Sequence, residues 1–372
     1  MDERALVITE NKKYDLEKYN TKKRTLAPYR RKNLTGAAIG LIYACSVMGV
    51  GFASGNEVLH FFTSYGMKGF YGIVAASVLY SFFGYAVVRT VYKTGADRLI
   101  DLYKAAGGQY FAGFAHVTGT LFSFCLFVLM LSAWTKIWNE IVFVPPLYAY
   151  ALYVLLFYLY CIFDIQSKPF AGWMRLLMLC GTGTVLFAIV AGRLIKVFSA
   201  YFVQGFGSWF LSAVFYVGYN SFVSADLLCK ACNSASSEKS AVAGSIAGGA
   251  VLFVLSFLIH LVLWFWYRGT HSFPLLDMTE ENFQIVRIFF AAVLLLCILY
   301  TGFNSGMIVT ERAVKKLPLK KETTLLLLSL LSVLALPLGF DSLIAAIYPV
   351  FGFLGSVITV CFVVLWIVRK NR

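Results

Sequence analysis

The chain has 372 residues, of which 60% are hydrophobic and 13% charged, with a net charge of +14 and a mean hydropathy of +0.76. That balance excludes a soluble globular domain and points to a polytopic membrane protein. The positive charge does not argue for nucleic acid, because 10 of the 32 Lys and Arg residues fall within residues 1–33 and most others in short loops, a distribution that membrane topology explains.

Residues 1–33 are polar and basic and have no apolar run of the signal-peptide kind. They are expected to form a solvated cytoplasmic tail, and the first span to direct insertion. Apolar runs then predict ten transmembrane helices. The first lies between Leu34 and Tyr65, the second at Gly69–Tyr92, the third at Gln109–Trp138, the fourth at Pro146–Phe163 and the fifth at Phe170–Gly192. The sixth is at Ser208–Cys229, the seventh at Ala241–Tyr267, the eighth at Phe283–Val309, the ninth at Thr323–Leu338 and the tenth at Leu343–Val368. Each is long enough to cross ~30 Å of hydrocarbon, the ninth marginally. Thr94–Gly108 reads as a polar connector with an interfacial helix around Leu99–Tyr103. With the N-terminus inside, 26 Lys and Arg lie on the cytoplasmic side and six outside (Lys68, Lys136, Arg193, Lys196, Arg268 and Arg287), which predicts both termini in the cytoplasm of a cell-membrane protein. The chain thus divides into a basic tail, 1–33, and one transmembrane domain, 34–369, made of two five-span units at about 34–192 and 206–369. Units with an odd number of spans insert in opposite orientations.

The first span contains Ser46-Val47-Met48-Gly49-Val50-Gly51-Phe52-Ala53-Ser54-Gly55-Asn56-Glu57, where a span should be most apolar. Loosened backbone at membrane depth persists only where protein or a watery cavity satisfies it, and glycine permits the break. The stretch predicts half-helices at roughly Leu34–Met48 and Gly55–Tyr65 joined by an unwound Gly49–Ser54, with freed N–H groups for an anion and carbonyls for a cation. A continuous helix with a glycine packing face is the other reading, which leaves Glu57 unexplained. In the sixth span, Gly218-Tyr219-Asn220-Ser221 repeats the order of Gly51-Phe52-Ala53-Ser54, with an acid, Asp226, again following. Corresponding interruptions in two halves are what an inverted repeat with broken helices 1 and 6 predicts.

Glu57 and Asp226 are the acids within clearly apolar spans, candidates for coupling or gating. Asp226, near the cytoplasmic end of its span, also fits plain interfacial exposure. Thr301, Asn304 and Ser305 share one face of the eighth span by their spacing. Phe215, Tyr216 and Tyr219 stand where they could wall a pocket, although filling space is their commoner role. His60, His116 and His260 keep proton coupling open. Eight scattered cysteines, with Cys229-x-x-Cys232 as the one close pair, suggest neither a disulfide framework nor a metal site. No HExxH or GxSxG motif argues for an intramembrane enzyme.

Val50-Gly51-Phe52-Ala53-Ser54-Gly55-Asn56-Glu57, followed by Phe61-Phe62, resembles the signature of the YkvI-type bacterial membrane proteins, a family similar to the amino acid–polyamine–organocation superfamily and its LeuT fold. The resemblance implies a secondary transporter with spans one and six broken around a small-molecule substrate. By it, Gly49, Gly51, Phe52, Ala53, Ser54 and Gly55 would meet the substrate together with Phe215, Tyr216, Gly218, Tyr219, Asn220 and Ser221, the carboxylate of a zwitterion resting on amides of Gly51–Gly55. Ser305, with Thr301 or Asn304, would join carbonyls near Gly49 and Phe52 around a sodium ion. Some proton-driven relatives place a span-five lysine there, and Phe170–Gly192 has none. The expected function is sodium-coupled uptake of an amino acid or similar amine. A proton-coupled carrier and a non-transporting ligand sensor are the alternatives. No cofactor is expected beyond the coupling ion; the lipid bilayer is the expected surrounding, and protein partners are left unspecified.

Overall fold

The computed structural model describes residues 34–163, 180–190 and 207–370, apart from positions 97, 188, 268, 270, 271, 280–283, 318, 319 and 335. Helices account for its regular structure, and one isolated bridge, Leu34 with Ala235, is the sole extended pairing among the described residues. That bridge ties the start of the first helix to the connector after the sixth span, Leu34 N–H donating to the Ser234 carbonyl at 3.1 Å.

The helices are α1 Gly36–Cys45, α2 Val50–Ala53, α3 Asn56–Phe61, α4 Met67–Thr94, α5 Leu99–Val142, α6 Pro146–Ile162, α7 Trp209–Cys232, α8 Glu238–Trp266, α9 Pro274–Asp277, α10 Gln284–Lys316, α11 Lys321–Val333 and α12 Phe340–Lys370. Six are long and apolar enough to cross a membrane by themselves: α4, α5, α8, α10, α11 with the short turn after it, and α12. The shorter α1 and α6 are also apolar. α7 is 24 residues long, but Ser212, Asn220, Ser221, Ser224 and Asp226 lower its apolar content, and the first four of these are buried against other helices. The expected connector helix and the third predicted span are parts of one element, α5, kinked at Gly108, whose φ is 82°. Most of the fifth predicted span lies outside the described residues; 180–187 and 189–190 are helical.

Small residues set the closest helix contacts. Gly36 and Gly40 of α1 face Gly244 and Gly248 of α8, so that a Cβ on Gly40 would stand 3.1 Å from the Gly244 carbonyl oxygen. This lets two backbones approach in a medium that gives no hydrophobic drive between helices. α8 also packs on α4, α4 on α7, α7 on α12, and α5 on α10.

The first span is interrupted, but at different residues from those expected. α1 ends at Cys45, the chain is irregular from Ser46 to Gly49, one short turn of helix (α2) follows, and a second irregular point falls at Ser54–Gly55. The freed Tyr43 carbonyl is satisfied locally: Ser46 Oγ donates to it at 2.5 Å and Tyr80 OH at 2.8 Å. Tyr43 OH in turn donates to the Tyr80 carbonyl at 2.9 Å, and the two rings stack at 4.1 Å. Backbone released inside a membrane requires such partners.

The expected break in span six is corrected. α7 runs without interruption through Gly218-Tyr219-Asn220-Ser221. Its polar side chains bond back to their own helix, Asn220 Nδ2 to the Tyr216 carbonyl at 3.0 Å and Ser221 Oγ to the Gly218 carbonyl at 2.6 Å. Gly218 is small because α12 lies on it: a Cβ there would overlap the Ser356 amide and stand 2.7 Å from the Gly352 carbonyl oxygen. Its role is packing.

Candidate functional site

Glu57 opens the site. It lies in the first turn of α3 and is 5% exposed. Gly55 before it takes φ +83°, a left-handed conformation that a side chain would strain, and this turn folds Glu57 back toward α2. There the missing Cβ of Gly51 makes room for the carboxylate and for the hydroxyl of Tyr348 from α12; a methyl group would overlap both. Tyr348 OH donates to Glu57 Oε1 at 3.4 Å, while Oε2 has no hydrogen-bond partner among the described residues. Tyr219 OH also faces the carboxylate without ordinary hydrogen-bond geometry, and Tyr216 OH is unpartnered as well. Phe61 stands against all three tyrosines, with ring centroids at 5.4 Å from Tyr216, 5.5 Å from Tyr219 and 5.6 Å from Tyr348. An acid with a spare oxygen is therefore enclosed by rings from three separate helices.

A second grouping lies at the other end of α2. A Cβ on Gly49 would be 4.0 Å from Thr301 Oγ1 of α10, so the irregular backbone before α2 faces the eighth span. Ser305 Oγ donates to the Thr301 carbonyl at 2.8 Å, keeping its lone pairs for another group. Asn304 is engaged elsewhere: Nδ2 donates to the Tyr300 carbonyl at 2.7 Å and Oδ1 accepts from Tyr160 OH at 3.1 Å. The carbonyl of Gly49 accepts from Ala53 N–H, that of Val50 from Ser54 N–H and that of Phe52 from Gly55 N–H, so three amides of the Gly51–Gly55 stretch already have backbone acceptors.

The remaining predicted residues are dispersed. Phe215 is half-buried against Gly352 and Phe353 of α12, away from Glu57. Ser221 accepts from Thr359 Oγ1 at 2.9 Å. Asp226 pairs with Lys230 one turn on, at 2.6 Å. His260 Nδ1 bonds to Thr63 Oγ1 at 3.0 Å, tying α8 to the end of the first span. Above the site, the connector between spans seven and eight closes on the first span: Leu275 N–H donates to the Ser54 carbonyl at 2.9 Å, and Asn56 Nδ2 to the Ser272 carbonyl at 2.8 Å. Lys136 of α5 fastens this connector, bonding to Ser272 Oγ and, at 2.6 Å, to Asp341 of α12.

Tyr348, Tyr80 and the Lys136–Ser272–Asp341 latch were not singled out from sequence, and Phe61 entered only as part of the Val50–Phe62 signature, without a role at the site. Of the missed residues, Tyr348 carries a local signal, since it precedes Pro349 inside an apolar helix. A proline there removes a backbone donor and marks a point of special geometry.

The geometry finds counterparts among solved proteins. The chain shares its fold with transporters of the LeuT type. MhsT in complex with L-phenylalanine superposes at a TM-score of 0.58 with 13% identity, covering 86% of this chain and 87% of that one. A Na+-coupled sialic acid symporter, substrate-bound and outward-open, gives 0.57 and 12% over 90% and 79% of the two chains. Inward-facing Mhp1 gives 0.56 and 13% over 91% and 78%. At these identities the likeness establishes the fold alone. In sequence the chain is similar to YkvI of Bacillus subtilis (strain 168), an uncharacterised membrane protein, with 24% identity over 345 residues that cover 86% of this chain and 92% of YkvI. The resemblance drawn from Val50–Glu57 therefore extends over most of the chain. No protein-family profile matches it.

Proposed function

We propose that the chain is a secondary active transporter of the cell membrane, with both termini cytoplasmic, that takes up an amino acid or similar small zwitterionic amine together with sodium. The observation that carries this reading is the interrupted stretch Ser46–Gly55, buried at the centre of the helix set. Through Gly51 it meets Glu57 and Tyr348, and through Gly49 it faces Thr301. Irregular backbone at this depth needs a function to justify it.

Helix pairing supports a five-plus-five inverted repeat of ten spans. Span one packs on span seven and span six on span two, pairs that exchange when each span is replaced by its counterpart five places away. Sodium would be held by carbonyls of Gly49 and Phe52 with the hydroxyls of Thr301 and Ser305, neutral oxygens that suit a hard monovalent cation. Rocking of one helix set on the other would open the site alternately to each side, with Ser46–Gly49 and Ser54–Gly55 as flexing points. The Lys136–Ser272–Asp341 latch would hold the connector shut over it.

The test is thermal stability of the detergent-purified chain with a panel of amino acids and amines, in sodium or in choline at equal ionic strength, followed by uptake into proteoliposomes. A shift present in sodium and lost in Thr301→Val or Ser305→Ala, with accumulation driven by a sodium gradient, supports the reading. Binding indifferent to sodium removes the cation site, and binding without accumulation replaces the carrier by a sensor.

A further inference from the structure

The geometry points to Glu57 as the anchor for an organic ammonium group, held in a cage formed by Phe61, Tyr216, Tyr219 and Tyr348, so that the solute this protein recognises carries a positively charged amine. The inference deepens the transporter reading of the same site and rests on it. Three observations carry it. First, Glu57 is buried, and no Lys or Arg among the described residues forms an ion pair with it. A carboxylate away from water needs a positive partner. Second, its Oε2 and the hydroxyls of Tyr216 and Tyr219, the latter facing the carboxylate, are all buried without hydrogen-bond partners, so the enclosure holds unused acceptors. Third, the rest of the enclosure is aromatic faces. Phe61 contributes no oxygen at all, yet it contacts each tyrosine, and Tyr219 stacks on Tyr348 at 5.4 Å. Ring faces within ~6 Å attract an ammonium group and give a bare metal ion too few ligands.

The missing Cβ at Gly51 belongs to the same design. It brings the main chain of α2 against the carboxylate and the Tyr348 hydroxyl. The rings now occupy one another's faces, so a solute enters by displacing Tyr348 from Tyr219.

The test is calorimetric binding to the full-length purified chain, at fixed sodium, of L-phenylalanine, phenethylamine and tetramethylammonium, set against N-acetylphenylalanine and 2-phenylethanol. Native protein should bind an amine-bearing probe and reject its acetylated or alcohol counterpart. Glu57→Gln, which keeps the shape and removes the charge, should weaken that binding about tenfold or more, the scale expected when one partner of a buried charge pair is lost. Tyr348→Phe should weaken it less, and Phe61→Leu should selectively weaken tetramethylammonium; these two variants carry the test should Glu57→Gln not fold. Equal binding of amine and neutral analogue, or amine binding unchanged by Glu57→Gln, overturns the ammonium assignment and leaves the carrier standing, as proteoliposome accumulation of the bound probe would show. Stabilisation by sodium alone that depends on Glu57, with no amine effect, also overturns it. Failure of every probe both to bind and to accumulate overturns the assignment and the transporter reading together.

Discussion

Gly218→Ala separates a packing glycine from a hinge glycine by the sign of its effect. Alanine is about 1 kcal/mol better than glycine inside a helix, so at an uncrowded position the substitution stabilises. Here the added methyl group would lie 2.7 Å from the Gly352 carbonyl oxygen, against the 3.4 Å at which ordinary contact begins. Because that neighbour is backbone, and the Ser356 amide lies closer still, α7 and α12 must part by at least about 0.7 Å, a gap that forfeits a quarter to a half of each dispersion contact it opens. The parting also stretches the bonds from Ser356 Oγ to the Val214 carbonyl, 3.0 Å, and from Thr359 Oγ1 to Ser221 Oγ, 2.9 Å. Overpacking of this kind costs about 1–3 kcal/mol and each weakened hydrogen bond up to about 1, so after the propensity gain a net loss of about 2 kcal/mol is expected. Gly355→Ala presses on the other side of the same contact, where a methyl group would overlap the Gly218 carbonyl. The double variant should lose less than the sum of the two, because helices parted once accommodate the second methyl group. Thermal unfolding in detergent, run as a double-mutant cycle, reads both quantities. Stabilisation by Gly218→Ala, or full additivity with Gly355→Ala, would refute the packing account of span six.

Tyr80→Phe removes the 2.8 Å donor to the Tyr43 carbonyl and should lower stability by about 0.5–1.5 kcal/mol, the net worth of one buried hydrogen bond, measured as a reduced unfolding temperature, since Ser46 still donates to that carbonyl. Thr301→Val, similar in volume, should abolish sodium-dependent stabilisation while changing stability in choline by about 1 kcal/mol or less, the worth of one hydroxyl hydrogen bond, read from the unfolding temperature. Lys136→Met cuts the latch to Ser272 and Asp341. In a cysteine-free background, thiol labelling at Ser54→Cys, a position that is fully buried, should accelerate about fivefold, the shift that about 1 kcal/mol makes in an opening equilibrium. Unchanged labelling would show that the Leu275–Ser54 and Asn56–Ser272 contacts hold the connector without the latch.

The membrane character of the chain and the rough limits of the six long apolar helices were legible in the sequence because hydropathy is a local property: a run of apolar residues must be buried in lipid or protein whatever its neighbours are. The interruption of span one was legible for the same reason, since Gly49, Gly51, Ser54, Gly55 and Glu57 together are incompatible with an ordinary lipid-facing helix. Span six was misread because a hinge and a tight helix crossing use the same local composition. Glycine beside polar residues serves both, and only the presence of the α12 backbone above Gly218 decides between them. The partners of Glu57 were equally out of reach: Tyr348 lies 291 residues further along the chain, and its hydroxyl meets the carboxylate only because α2, α3, α7 and α12 converge. The sequence by itself determined what must be buried and where the backbone could break. Tertiary structure decided which buried groups face one another, because that depends on helix crossings set by side-chain shape across distant segments, which no periodicity along the chain records.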